Sequence, residues 1–218
     1  MGELPEFDRV LYIKKMKLTI IFQFGKRKYL ERIARDFLKE SLGDYPYEWI
    51  ELDCSGLTLA QGFNRLVEQV KTEYVLYAQD DFGFFPNGNW VEKAIKILEN
   101  RKDVGIIDLR KERDNETPWA IDKHEKIGNM SFYIIRSCAD RRFNLTPFMM
   151  KTKDLKKIMP LDESETRKNG AEYSGIQNYR ERVNLDLARL DIPYKGVCFH
   201  LGWNRSRALG YKEKNAQN

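Results

Sequence analysis

The chain has 218 residues, 42% hydrophobic and 33% charged, with a formal net charge of +5. This length suits one large domain or two small ones, and no apolar run is long enough to cross a bilayer. The mild positive charge suits an anionic ligand such as a nucleotide and falls short of a nucleic-acid footprint, so nucleic acid is excluded as a partner.

Three widely spaced cysteines, Cys54, Cys138 and Cys198, exclude a thiolate zinc cluster. With no apolar leader at the N-terminus, they predict a reduced, cytoplasmic protein without a transmembrane segment. Residues 1–16 show no period and read as an N-terminal extension. They form either an edge strand or added sequence ahead of a native start at Met16.

A first buried strand is predicted over 17–24, broken by Gly25 and followed by Lys26, Arg27 and Lys28. Leu30, Ile33, Ala34, Phe37 and Leu38 then recur at helical spacing over 29–42, with Gly43 as the stop. A second strand over 49–53 ends in Asp53, Cys54, Ser55 and Gly56. Thr58 is the predicted N-cap of a helix carrying Leu59, Phe63, Leu66, Val67 and Val70 on one face. The apolar run from Tyr74 then ends in Gln79, Asp80 and Asp81, and Gly83, Pro86, Asn87 and Gly88 predict a loop. Such a β-α-β-α-β run with short connections implies a parallel sheet with right-handed crossovers.

Further on, a helix over 90–100 and a strand over 104–109 are followed by a polar stretch, 110–130, read as a long loop with His124 at the surface. Short antiparallel strands are expected at 131–136 and 143–151, with Thr152 capping a helix over 153–159. Residues 160–171 are polar and hold the Asn169-Gly170 turn signal; a helix over 177–190 and a strand over 194–200 complete the pattern.

Asp80 and Asp81 fall at the carboxyl end of a strand, the edge where open α/β sheets bind ligands. Adjacent like charges favour a cation, and hard oxygen donors suit a divalent metal that bridges to phosphate. The alternative is a polar cap at a strand end.

Several further motifs stand around that pair. The first strand ends in Gln23-Phe24-Gly25, and Ser55 follows Asp53. Leu59-Ala60-Gln61-Gly62-Phe63-Asn64 places an Asn fifteen positions before Gln79, and Gly170-Ala171-Glu172 and Phe199-His200 come late in the chain. Together, over roughly residues 17–203, they resemble the GT-A fold glycosyltransferases of the family-2 kind.

The resemblance implies an α/β fold of GT-A type, a Rossmann-like, nucleotide-binding mixed sheet flanked by helices in a single domain. It divides the chain into a nucleotide-sugar-binding half, 17–109, an acceptor-binding half, 110–203, and a C-terminal tail, 204–218. The implied activity is metal-dependent transfer of a sugar, of hexosyltransferase type and inverting, from a nucleoside-diphosphate sugar to a hydroxyl on a glycan, protein or lipid-linked acceptor. The cofactor is Mn²⁺ or Mg²⁺, held at a DXD-like motif.

In that scheme Asp81 is the metal ligand and Asp80 assists on ribose or metal. His200 is a further ligand, one that favours Mn²⁺ because imidazole is softer than carboxylate. Gln23, Phe24 and Gly25 line the base pocket, Asp53 accepts from a base N–H or serves a turn, and Asn64 contacts the nucleotide or fixes a loop. Arg27 and Lys28 meet phosphate or are simply solvated. Glu172 is the general base, with Asp162, Glu163 and Glu165 competing for the role. Residues 82–89 and Trp119 border the acceptor cleft, and Trp203 stacks on sugar or supports the strand of His200.

Gln79 departs from the family pattern, standing where a first Asp is common and leaving the centre one charge short. Two other readings therefore stay open. One is a sugar-nucleotidyltransferase, of which Gly25-Lys26-Arg27 is a faint phosphate-loop echo; the other is a non-catalytic nucleotide-binding protein with a degenerate site.

Overall fold

Leu18, Ile20 and Phe22 face one side of the first strand and Ile21 the other, and all four are fully buried. A strand apolar on both faces has to be covered on both faces. The structure, a computed structural model, describes residues 16–25, 27–86, 89–110, 121–135, 143, 145–164, 170–191 and 197–201.

The first half of the chain supplies β1 (Leu18–Phe24), α1 (Lys28–Leu42), β2 (Tyr47–Asp53), α2 (Leu59–Gln69), β3 (Tyr74–Gln79), β4 (Phe82–Phe84), α3 (Trp90–Asn100) and β5 (Val104–Asp108). Then come β6 (Ile121–Ile127), β7 (Met130–Ile135), β8 (Phe148–Lys151), α4 (Thr152–Ile158), α5 (Ala171–Arg182), β9 (Asp186–Leu190) and β10 (Cys198–His200). Eight strands form one mixed sheet in the order β2-β1-β3-β8-β5-β9-β7-β6, and β4 pairs with β10 in a separate ribbon. Because β8 lies between β3 and β5, the two halves of the chain share one sheet.

Leu18, Ile20, Phe22, Leu76 and Met149 pack against Ala34 and Leu38 of α1 and against Trp90 and Leu98 of α3. On the other face Ile21, Val75, Tyr77 and Met150 meet Phe63 and Leu66 of α2, Leu155 of α4 and Tyr179 of α5. Trp90 is buried with its indole N–H satisfied by Ser41, 2.9 Å from Oγ, as a buried indole requires. Among the described residues no helix is long and apolar enough to cross a membrane.

β1, β2 and β3 are parallel, and β8 is antiparallel to both β3 and β5, so β5 runs the same way as β3. Their carboxyl ends therefore share one edge. Phe24 lies opposite Asp53, and Gln23 opposite Gln79. Thr58 caps α2 in a full capping box with Gln61, and Gly43 ends α1 at φ 55°.

Several elements differ from the sequence reading. Residues 121–127 are not loop but the edge strand β6, joined to β7 through Gly128 at φ 62° and Asn129. Charged residues such as Lys123 and Glu125 suit an edge and hide its period. The helix expected over 177–190 is instead α5, starting at Ala171, and β9 takes 186–190. Asn184 at φ 48° separates them, and pairing between β5 and β7 overrides the helical preference of Leu-Ala-Arg-Leu. Phe82–Phe84 is a strand rather than loop because β10 pairs with it. The strand expected over 143–151 is confined to Phe148–Lys151, after Pro147, which has no N–H to donate. Thr152 is the first residue of α4 and not its cap.

Candidate functional site

β3 delivers Asp80 and Asp81 to the shared edge, where the backbone of β1 and the ribbon of β10 close around them. Asp80 is only 4% exposed. Its Oδ2 accepts from the Gly25 N–H at 3.1 Å, and its Oδ1 accepts from Arg27 Nη2 at 2.8 Å. Asp81 Oδ2 stands 3.3 Å from the same Arg27 nitrogen and 3.3 Å from His200 Nε2.

His200 reaches this place because β10 pairs with β4, setting His200 opposite Phe82. The Leu201 N–H donates to the Asp81 carbonyl at 2.7 Å, and the His200 ring meets Phe82 edge-on at 5.0 Å. Gly83 allows the approach: a Cβ there would stand 2.7 Å from the Phe199 ring.

The two carboxyls are driven apart electrostatically. Burial pushes the Asp80 carboxyl up, with the Asp81 charge adding to it, and Arg27 and the Gly25 N–H only partly offset this. Burial acts on Asp81 too, but the His200 ring and the Arg27 guanidinium outweigh it and hold this carboxyl below its usual value. Asp81 is thus the more acidic member of the pair.

Its second oxygen, Oδ1, is buried and has no hydrogen-bond partner among the described residues. An orphaned carboxylate oxygen in such a place is a good ligand for a hard cation. The 3.3 Å between His200 Nε2 and Asp81 Oδ2 is also close to the ~3 Å that separates neighbouring donors around an octahedral ion with bonds of ~2.1 Å. Among the described residues no group of three or more His, Cys, Asp and Glu side chains is arranged to hold a metal by itself. Two protein donors fit a metal that takes its remaining oxygens from a bound diphosphate.

The other candidate residues lie around this centre. Asp53 is exposed at the end of β2, accepting from the Ser55 N–H at 2.9 Å and from Lys28 Nζ at 3.2 Å. Hydrogen bonds from Ser55 and then from Lys28 hold it down at about 2. Phe24 lies beneath Lys28, whose Nζ is 5.2 Å from the ring centroid. Gln23 is turned inward: its amide donates to the Leu59 carbonyl at 3.1 Å and accepts from the Tyr77 hydroxyl at 2.8 Å.

Asn64 also works inward. Its amide donates to the Leu161 carbonyl and to Glu163 Oε1 at 3.0 and 2.9 Å, and accepts from the Leu161 N–H at 2.9 Å. These bonds hold the segment of Leu161 and Glu163 against α2. The segment so held is tied onward to α5, where Ser174 Oγ accepts from the Asp162 N–H at 2.9 Å. Glu172 is exposed in the first turn of α5. Burial drives the Tyr77 hydroxyl well above its usual value, and the charges of Asp81 and Glu172 both add to the effect. Lys26, Trp119, Glu165 and Trp203 lie outside the described residues.

Sequence reasoning missed a second charged cluster on the same edge. Asp108, at the end of β5, is only 4% exposed and lies between Arg189 of β9 and Arg110, whose Nε is 3.2 Å from Asp108 Oδ1. Only the register that sets Asp108 opposite Arg189 brings these groups together.

No protein-family model and no curated protein sequence matches this chain. Solved structures match its fold. Residues 1–349 of S. aureus TarS in complex with UDP-GlcNAc superpose with a TM-score of 0.57 at 14% identity, over 86% of this chain and 61% of that one. A mannosyltransferase from Pyrobaculum calidifontis, in complex with GDP-Man and Mn²⁺, gives 0.56 at 14% identity, over 97% and 70%. Glucosyl-3-phosphoglycerate synthase from Mycobacterium tuberculosis, with Mg²⁺ and UDP, gives 0.54 at 12% identity, over 92% and 76%. The chain spans about three fifths of the length of that TarS structure. These likenesses show a GT-A fold, with a mixed eight-stranded sheet and, among the described residues, five flanking helices.

Proposed function

We propose that this protein transfers a sugar from a nucleoside-diphosphate donor to a hydroxyl acceptor, and that Asp81 and His200 hold a divalent metal, Mn²⁺ or Mg²⁺, with Asp80 beside them. The observation that carries this reading is the buried Asp81 Oδ1 at the carboxyl edge of β3, which has no hydrogen-bond partner among the described residues. When bound, the metal supplies Lewis-acid neutralisation of the departing nucleoside diphosphate.

The chain's own residues do the rest. Asp53, exposed at the end of β2 on the same sheet edge, accepts from a base N–H. Glu172 is the general base, taking the acceptor hydroxyl's proton as that oxygen attacks the anomeric carbon, and direct displacement inverts the configuration. A sugar-nucleotidyltransferase would need free N–H groups after β1 to cradle phosphates. Here the Gly25 N–H is turned onto Asp80.

The test incubates UDP- and GDP-sugars with the protein and Mn²⁺, with water or added sugars as acceptors, then removes the metal and reads the nucleotides by phosphorus NMR and the glycoside's anomeric proton by proton NMR. The expected result is release of free UDP or GDP that requires the metal, and a product of inverted configuration. In Glu172→Gln, release should fall on the order of 10²-fold. A retained configuration, or near-normal turnover in that variant, would remove Glu172 from the role.

A further inference from the structure

One guanidinium nitrogen, Arg27 Nη2, lies 2.8 Å from Asp80 Oδ1 and 3.3 Å from Asp81 Oδ2. It bridges the two carboxylates from the position of a shared cation. Arg27 is the N-cap residue of α1 and its side chain is 49% exposed, against 6% for Asp80. The guanidinium thus reaches in from solvent on a long stem and can leave by rotamer changes alone.

The centre is also poor in charge. Gln79 precedes the carboxylates, so two negative charges face Arg27 and His200. Asp81 Oδ2 already serves both of these groups, while Oδ1 serves none among the described residues. A guanidinium and a divalent ion within a few ångströms of each other repel, so entry of the ion between these carboxylates favours departure of the guanidinium.

We propose that Arg27 is an exchangeable counter-cation. It neutralises Asp80 and Asp81 while no metal is bound, and it gives up the carboxylates when a divalent cation enters. It then takes a phosphate oxygen of the nucleoside diphosphate that arrives with the metal. Metal and donor binding are thereby coupled through one side chain. This rests on the reading of Asp80 and Asp81 as a divalent-metal site.

The test measures Mn²⁺ affinity without nucleotide, from the loss of the free-ion electron paramagnetic resonance signal, in the parent, Arg27→Gln and Arg27→Lys. With the competing charge removed, Arg27→Gln should bind Mn²⁺ about tenfold more tightly than the parent, and Arg27→Lys, which keeps the charge, should stay near the parent. At saturating Mn²⁺, Arg27→Gln should in turn bind UDP or GDP about tenfold more weakly, because it has lost a phosphate partner. A plain surface ion pair would change neither affinity. Equal Mn²⁺ binding by all three proteins, or tightening in Arg27→Lys as large as in Arg27→Gln, overturns the exchange and leaves the metal site standing. No Mn²⁺ binding by any of them, with or without UDP or GDP, overturns both the exchange and the metal site.

Discussion

Asp108 carries its charge at a buried position, and the arginines around it make that tolerable. Burial pushes its carboxyl up, but Arg189 and then Arg110 outweigh this and bring it down to about 2. In the unfolded chain the same group titrates near its ordinary value of ~3.9. The folded value is the lower one, so the stabilisation is present in full above the unfolded value and is lost as pH falls through about 4 toward 2. Asp108→Asn should therefore flatten the fall in unfolding free energy between pH 5 and pH 2.5 seen by urea titration. It should also cost about 3–5 kcal/mol at neutral pH, because Arg189 is left buried without its counter-charge. A variant with the parent's acid slope would show that Asp108 is not the group responsible. None of this was legible in the sequence: Asp108 and Arg189 are 81 positions apart, and β9 itself reads as helix.

At the scale of elements, Asn64 joins α2 to the segment before α5 through three hydrogen bonds, and Ser174 carries the connection to the helix that presents Glu172. Asn64→Ala removes a buried amide and leaves the Leu161 N–H unsatisfied, which should cost about 1–3 kcal/mol. Turnover should fall with it while nucleoside diphosphate affinity stays within about twofold, because the lost contacts lead to the helix of the proposed base, Glu172, and not to the carboxylate pair. A large loss of nucleotide affinity at full metal would instead mean that Asn64 touches the donor. The elements on this path differ in how readable they were. β1, α1, α2 and β3 stood out because a strand buried on both faces is continuously apolar, and a helix buried on one face keeps its period. β6 is polar, β4 is three residues long, and β9 is composed of helix formers, so each owes its state to a partner strand elsewhere in the chain.

Across the whole molecule, one sheet edge gathers Asp53 with Lys28, Asp80 and Asp81 with Arg27 and His200, and Asp108 with Arg110 and Arg189. The carboxylate pair was visible in the sequence because its members are adjacent and follow an apolar run. The pairing of Arg27 with those carboxylates was not visible, since its basic cluster reads equally well as solvated charge. The approach of His200 to Asp81 depends on the ribbon of β4 and β10, and residues 82–89 read as loop. The measurement that bears most directly on the central claim is calorimetric titration of UDP and GDP into the parent protein and Asp81→Ala, with and without Mn²⁺. The expected result is saturable binding of one nucleotide by the parent that requires Mn²⁺ and that Asp81→Ala weakens by at least about tenfold, or 1.4 kcal/mol. Binding by Asp81→Ala as tight as the parent's with Mn²⁺ present would contradict it.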